Sequence, residues 1–501
     1  MPLFEQYPLH LYNSMVREKQ LFEPLDPPFV GLYACGPTVY SEPHLGHARS
    51  LITWDLVFRY LRHLGYRVRY VRNITDVGHL EDEVAGEGED RIGKKARLER
   101  LEPMEIVQQY TLAYRKAATE LNALPPSIEP TASGHVPEQI QAIKRIMSNG
   151  YAYERDGSVY FNLERYAASH PYGKLSGKVL DDLMAGSRQT EGLTEKQSPH
   201  DFALWKKANP EHIMRWDSPW GEGFPGWHIE CSAMSTKYLG ETFDLHGGGM
   251  DLQFPHHEAE IAQNVGCFGT EGVRYWIHHN MLTIEGQKMA RSLGNFITIE
   301  QMFKGDHPLL EQAYSPMTIR FFTLQSHYRS PVDFSNEGLQ AAEKSYRRLM
   351  NAAAALDKLE YSASALDTDL DNQLQEACHS LYRELSDDFN TPRALAVLFE
   401  LSSRIQDFRS GNKAIGSISQ GTFDLLRTRF RAVLFDVFGL LPETEGQTPK
   451  LDNVMDLLIR MRTEARARKD FAASDRIRDE LIAMGIQLKD GKDGTTFSVG
   501  E

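Results

Sequence analysis

No apolar run in the 501-residue sequence approaches the roughly 20 residues that a bilayer demands; the most apolar short stretch, AVLFDVFGLL at 432–441, falls far short. The first residues, MPLFEQYPLH, lack the basic flank and apolar core of a secretory leader. A soluble, cytoplasmic protein with no membrane partner is expected. Cysteine is scarce: Cys35, Cys231, Cys267 and Cys378, none in C-x-x-C spacing. That argues against a disulfide framework and leaves metal ligation or burial as small hydrophobes. A positive excess is also missing, with net charge −14 and pI ≈ 5.7. Such a chain is not a general nucleic-acid coat, because phosphate binding runs on local Lys and Arg. A local basic track on an acidic body stays open. No internal repeat is visible.

What is present is ordinary globular composition, 41% hydrophobic and 25% charged, in a length suited to about three domains. FVGLYA (29–34) reads as a buried strand stopped by Cys35-Gly36-Pro37. Leu51, Trp54, Phe58, Leu61 and Leu64 step by three and four, which predicts a helix that Gly65 ends. RVRYVRNIT (67–75) reads as a second strand. Strand, helix, strand makes a βαβ unit and a parallel sheet, whose ligands bind at the carboxyl ends of the strands. Cys35 and Thr75 stand at such ends. The charged stretch 80–100 reads as an exposed loop entering a helix. A β-hairpin is expected around Asp156-Gly157, within an insertion spanning 125–217. Residues 335–442 are helix-patterned, and two helical patterns plus a hairpin close the chain.

Four constellations have chemical promise. His44-Leu45-Gly46-His47 sits where a helix begins, a place of free N–H groups suited to phosphate; the plainer reading is a capped turn. His246-Gly247-Gly248-Gly249-Met250-Asp251 lets a flat ring approach backbone, with Asp251 available to ribose hydroxyls; the plainer reading is a flexible turn. In Pro255-His256-His257-Glu258-Ala259-Glu260, Pro255 suits the first helical position. His256 and Glu260 then share a helix face, which with thiolates from Cys35 and Cys231 makes a zinc set; the plainer reading is a surface pair. Lys288-Met289-Ala290-Arg291-Ser292 places two cations in a loop able to clamp polyphosphate, or simply a solvated turn.

In this order, these segments closely resemble the cysteinyl-tRNA synthetases, a family of class I aminoacyl-tRNA synthetases. HLGH and KMARS resemble the two class signatures. YACGPTVY (33–40), RNITD (72–76), PGWHIECSAM (225–234), DLHGGGMDLQFPHHEAEIAQ (244–263), DDFNTPRAL (387–395) and the ARKDFAASDRIRDEL tail resemble the cysteine-specific members. The likeness covers essentially the whole chain.

The resemblance implies an α/β fold. A Rossmann-type catalytic domain (1–124 and 218–285) is split by the insertion. A KMARS region (286–334), a helical bundle (335–442) and a small C-terminal α+β unit for the anticodon (449–501) follow. The implied activity is ATP-dependent formation of cysteinyl-adenylate and transfer to the terminal adenosine of tRNA(Cys). Zinc, one per chain, is implied on Cys35, Cys231, His256 and Glu260, and Mg²⁺ with ATP. Cysteine is implied to contact Cys35, Gly36, Thr75, Trp227 and His246. ATP is implied to contact His44, Gly46, His47, Gly248, Asp251, Lys288 and Arg291, of which His44, His47, Lys288 and Arg291 are catalytic. Ala290 and Arg291 depart from the usual Ser and Lys; Arg keeps the charge but is a planar fork. A metal that demands sulfur makes an editing site in the insertion unnecessary. Arg460, Arg462, Arg466, Arg468 and Lys469 offer cations to RNA, and a monomer is implied. Two other readings stay in view: a mycothiol-pathway ligase joining cysteine to an amino sugar, and an inactive RNA- or zinc-binding paralogue.

Overall fold

A computed structural model describes residues 2–77, 80–82, 87–178, 196–209, 212–443, 448–468, 470–483, 486–491 and 494–499. Its centre is a four-stranded parallel sheet. β1 (Phe29–Ala34) leads through α1 (Leu45–Leu64) to β2 (Arg67–Arg72). α2 (Trp227–Leu239), β3 (Phe243–Gly249), α3 (His256–Phe268) and β4 (Val273–His279) complete it. The strand order is β4-β3-β1-β2, all parallel. The chain runs outward from β1 to β2 and returns on the other side as β3. The order therefore reverses between β1 and β3, the place where open α/β sheets hold their ligands. Cys35 follows β1 there, its N–H donating to the Gly247 carbonyl of β3 at 3.1 Å.

α1 forms as its spacing predicts, with Leu51, Trp54, Leu61 and Leu64 buried and Gly65 closing it in the left-handed region. Three expectations need correction. The charged stretch at 80–90 is not a plain loop: Leu80–Asp82 pairs antiparallel with Glu87–Asp90 before the helix Arg91–Glu99. The three glycines lie inside β3, where every residue is buried, so they form strand rather than turn. Pro255 precedes α3 as its cap, and His256 is the first helical residue.

The insertion builds its own antiparallel sheet. Ala152–Arg155 and Ser158–Phe161 form the expected hairpin, with Asp156 and Gly157 both at positive φ. Phe202–Lys207 and Gly223–Pro225 extend it. Backbone pairing crosses both boundaries read from sequence: Ile128 and Thr131 bridge to Val71 and Ile74, and Gly223–Pro225 belongs to the inserted sheet. The helices Asn336–Lys358, Thr368–Ser386, Thr391–Ser410 and Gln420–Arg431 form the bundle.

The chain divides into compact units, Met1–Leu441 and Pro442–Glu501. The second contains helices Thr448–Ala467 and Phe471–Ala483 and a hairpin of Ile486–Gly491 with Gly494–Val499. Among the described residues, no helix is long and apolar enough to cross a membrane.

Candidate active site

A cleft of about 380 Å³ opens at the sheet's reversal point. Cys35, Gly36, Thr75, Trp227, Cys231 and His256 line it together with His44, Gly46, His47, Asp251 and Lys288. Residues from five distant segments thus converge on one space.

The histidines of HLGH close a reciprocal cap. The Gly46 N–H donates to His44 Nδ1 and the His44 N–H donates to His47 Nδ1, each at 3.1 Å. An Nδ1 that accepts carries no proton, so each neutral ring bears its hydrogen on Nε2. Burial pushes His47 down to about 4, which keeps that ring neutral at pH 7. The capping reading and the phosphate reading are therefore compatible: the cap fixes the tautomer that leaves Nε2–H to donate. The signature is stitched to the chain beyond KMARS, since the Leu45 N–H donates to the Ile297 carbonyl and the Ile299 N–H to the Pro43 carbonyl. Arg49, one turn into α1, donates to the carbonyls of Thr323, His327, Tyr328 and Ser330.

Lys288 is exposed and lines the cleft. Asn295 holds its loop: the Ala290 N–H donates to Asn295 Oδ1 at 2.8 Å, and Asn295 Nδ2 donates to the Lys288 carbonyl at 3.2 Å. Arg291 lies in the short 3₁₀ turn Arg291–Leu293.

The sulfur end is almost wholly buried. Cys35 Sγ lies 3.7 Å from Cys231 Sγ, and His256 Nε2 lies 3.1 Å from Glu260 Oε1. Two thiolates sharing a tetrahedral zinc, each roughly 2.3 Å from it, stand about 3.8 Å apart. The donor set therefore fits that ion. Burial opposes ionisation of Glu260, yet the His246 and His256 imidazoles bring it down to about 2. Burial together with Cys231 and Glu260 pushes the Cys35 thiol well up, while its hydrogen bond to Cys35 lowers Cys231. Like-charged donors crowded together without water are what a cation would reconcile.

Cys35, His256, His257 and Glu260 also lie within 4.8 Å of one another, so a second imidazole competes for a place in the set. Hydrogen bonding separates the two. Ser14 Oγ lies 2.9 Å from His278 Nδ1, His278 Nε2 2.8 Å from His257 Nδ1, and His257 Nε2 3.2 Å from Cys35 Sγ. Neutral tautomers run consistently along that chain, each donating to the next. With Nε2 protonated on both rings, His257 donates to the Cys35 sulfur, while His256 keeps its contact with Glu260.

Some residues are placed differently from the sequence reading. His246 does not line the cleft; it is buried behind it, Nε2 2.8 Å from Glu260 Oε2. Gly248 is buried in β3, and its neighbour Gly249 lines the cleft instead. Sequence reasoning missed Asn73, although it lies in the quoted RNITD. Its Oδ1 accepts from the Gly36 N–H at 2.9 Å and its Nδ2 donates to Thr75 Oγ1, which in turn donates to Glu230. Gly36 is obligatory, because a Cβ there would fall 1.6 Å from the Asn73 carbonyl oxygen. In the C-terminal unit Arg462 is buried, on the face of its helix that carries Met455 and Leu458, while Arg460, Arg466 and Arg468 are exposed. Lys469 lies outside the described residues.

Comparison with known proteins gives three family matches: tRNA synthetases class I (C) catalytic domain over residues 21–344, DALR domain over 381–442, and cysteinyl-tRNA ligase anticodon binding domain over 448–497. A Porphyromonas gingivalis protein named cysteine–tRNA ligase is 56% identical, covering 99% of this chain and 100% of its own. One of the same name from Chlorobaculum tepidum is 45% identical over 98% and 99%. The structure of Mycobacterium tuberculosis methionyl-tRNA synthetase bound by methionyl-adenylate superposes with TM-score 0.56 at 14% identity, covering 81% of this chain and 89% of that one. At that identity the likeness concerns fold alone.

Proposed function

The chain belongs to the cysteine–tRNA ligase family of class I aminoacyl-tRNA synthetases, and we propose how its own residues carry that reaction. The observation that carries the reading is the convergence of two neighbouring sulfurs, Cys231 buried and Cys35 half-buried, and a capped histidine pair on one cleft. Cys35, Cys231, His256 and Glu260 would hold zinc, which when bound supplies a position that takes thiolate in preference to hydroxyl. His246 orients Glu260, and His257 donates to the Cys35 sulfur. Trp227, whose ring centroid lies 4.3 Å from that of His256, walls the cysteine pocket. Gly36 and Thr75 form its floor under the control of Asn73.

For ATP, His44 and His47 donate from Nε2 to the phosphates, and Gly46 lets them approach the backbone. Asp251 takes the ribose hydroxyls. Lys288 and Arg291 stabilise the pyrophosphate as it leaves, and Mg²⁺ enters with ATP. The cysteine carboxylate attacks the α-phosphorus, the bond to the bridging oxygen breaks, and pyrophosphate departs. The terminal adenosine hydroxyl of tRNA(Cys) then takes the acyl group and AMP leaves. No side chain need act as nucleophile; positioning and fixed charge lower the barrier.

The full set of two signatures and four donors supports a working enzyme over an inactive paralogue. The anticodon-domain match over 448–497 favours tRNA over an amino sugar. We read the C-terminal unit as the anticodon reader, the 125–217 insertion as free of editing, and the enzyme as a cytoplasmic monomer. The test is transfer of labelled cysteine to tRNA(Cys). Charging dependent on ATP and cysteine is expected; adenylate formation without charging would contradict the reading.

A further inference from the structure

A second cavity, of about 400 Å³, adjoins the active-site cleft. Asn280 lines both, and the Met250–Gln253 turn contributes Asp251 to one and Met250 to the other. Its walls come from the N-terminal hairpin of His10–Asn13 with Glu18–Leu21 and its turn, the inserted segment Leu175–Gly177, the end of β4 and Arg329. On a chain of net charge −14 this lining is unusual: it holds Arg17 and Arg329 and no Asp or Glu.

Both arginines are set up in advance. Arg329 donates from Nε to buried Asp388 at 2.7 Å and stacks its guanidinium 4.4 Å from the Tyr12 ring centre. Tyr12 also lines the cavity. Arg17 is held with φ +59 by its N–H to the Asn13 carbonyl, a left-handed backbone that bulky residues avoid. Its guanidinium lies over Gly177, where any Cβ would fall 2.0 Å from Nη2. Among the described residues, no hydrogen bond or ion pair engages that guanidinium.

A groove with one guanidinium pinned by Asp388, a second left open, an aromatic ring and small hydroxyls matches a single-stranded polynucleotide, where cations follow the phosphates and rings take the bases. We propose that this cavity receives the single-stranded 3′ end of the tRNA substrate, with Arg17 and Arg329 on its phosphodiesters and Asn280 at the passage into the cleft. This rests on the proposed charging of tRNA and names where the RNA terminus enters.

The test substitutes Arg17→Asn, which removes the charge and suits the left-handed backbone. Cysteine-dependent ATP–pyrophosphate exchange should be unchanged, while kcat/KM for charging tRNA(Cys) falls roughly tenfold and the salt dependence of KM becomes shallower. For tRNA lacking its three terminal nucleotides, wild-type and variant enzymes should bind equally. Unchanged charging, a parallel loss of exchange, or equal weakening toward the truncated tRNA would each overturn the assignment. Weakened inhibition by free pyrophosphate in the variant would also overturn it, by placing a small phosphate there instead. Absence of charging by the unsubstituted enzyme would instead sink the parent reading.

Discussion

His47 shows how one residue serves stability and chemistry together. Its ring closes the cap of α1 and is pushed down to about 4 by burial. An unfolded histidine titrates near 6.5, so between those values the unfolded chain binds more protons than the folded one. Stability therefore rises with pH across that window and is lost as pH falls from about 6.5 to about 4, by at most about 3 kcal/mol. Denaturant unfolding of the wild type and His47→Gln at pH 5 and 7.5 should show a smaller acid loss in the variant. The metal set yields a second outcome at this scale. His256→Gln should abolish stoichiometric zinc, whereas His257→Gln should retain it with affinity weakened about 10- to 100-fold, as for partners one layer out. Metal content after dialysis against a graded chelator separates them. His256 and Glu260 were legible because i and i+4 share a face. The roles of His246 and His257 were not, because only the folded chain brings β3, α3 and β4 into one layer.

Glu258 couples two elements that are remote in sequence. It is buried in α3, and its carboxylate accepts the N–H groups of Gly173 and Ser176 at 2.9 Å each. The helix that carries His256 and Glu260 is thereby tied to the inserted segment. Glu258→Ala leaves two donors without their acceptor, a cost of about 2–4 kcal/mol where water cannot replace it. Hydrogen exchange at 173–177 should accelerate at least tenfold in that variant, a change absent from the bundle helices. Regular elements were readable from sequence where apolar spacing was strong, as in α1 and the bundle. The pairing of Leu80–Asp82 with Glu87–Asp90 was not, because charged residues carry no burial signal. The strand character of Gly247–Gly249 was hidden as well, since glycine favours turns in sequence and here allows close strand packing: a Cβ at Gly247 would fall 1.7 Å from the Ile277 carbonyl oxygen.

At the scale of the whole molecule, the proposed function puts the chemistry in Met1–Leu441 and anticodon reading in Pro442–Glu501. Removing residues 442–501 should leave cysteine-dependent ATP–pyrophosphate exchange intact, since every cleft residue lies before them, and should lower charging of tRNA(Cys) at least tenfold. Equal loss of both activities would contradict that division. The family was legible because the motifs are long and ordered; the crossing of β-pairing at 128–131 and 223–225 was not, because short extended segments leave no periodic trace. The central claim is that a thiophilic metal on Cys35, Cys231, His256 and Glu260 chooses the amino acid before any tRNA is bound. The direct measurement is ATP–pyrophosphate exchange by zinc-loaded enzyme with cysteine or with serine in large excess. Exchange with cysteine and none with serine is the predicted result; comparable exchange with serine would contradict the account.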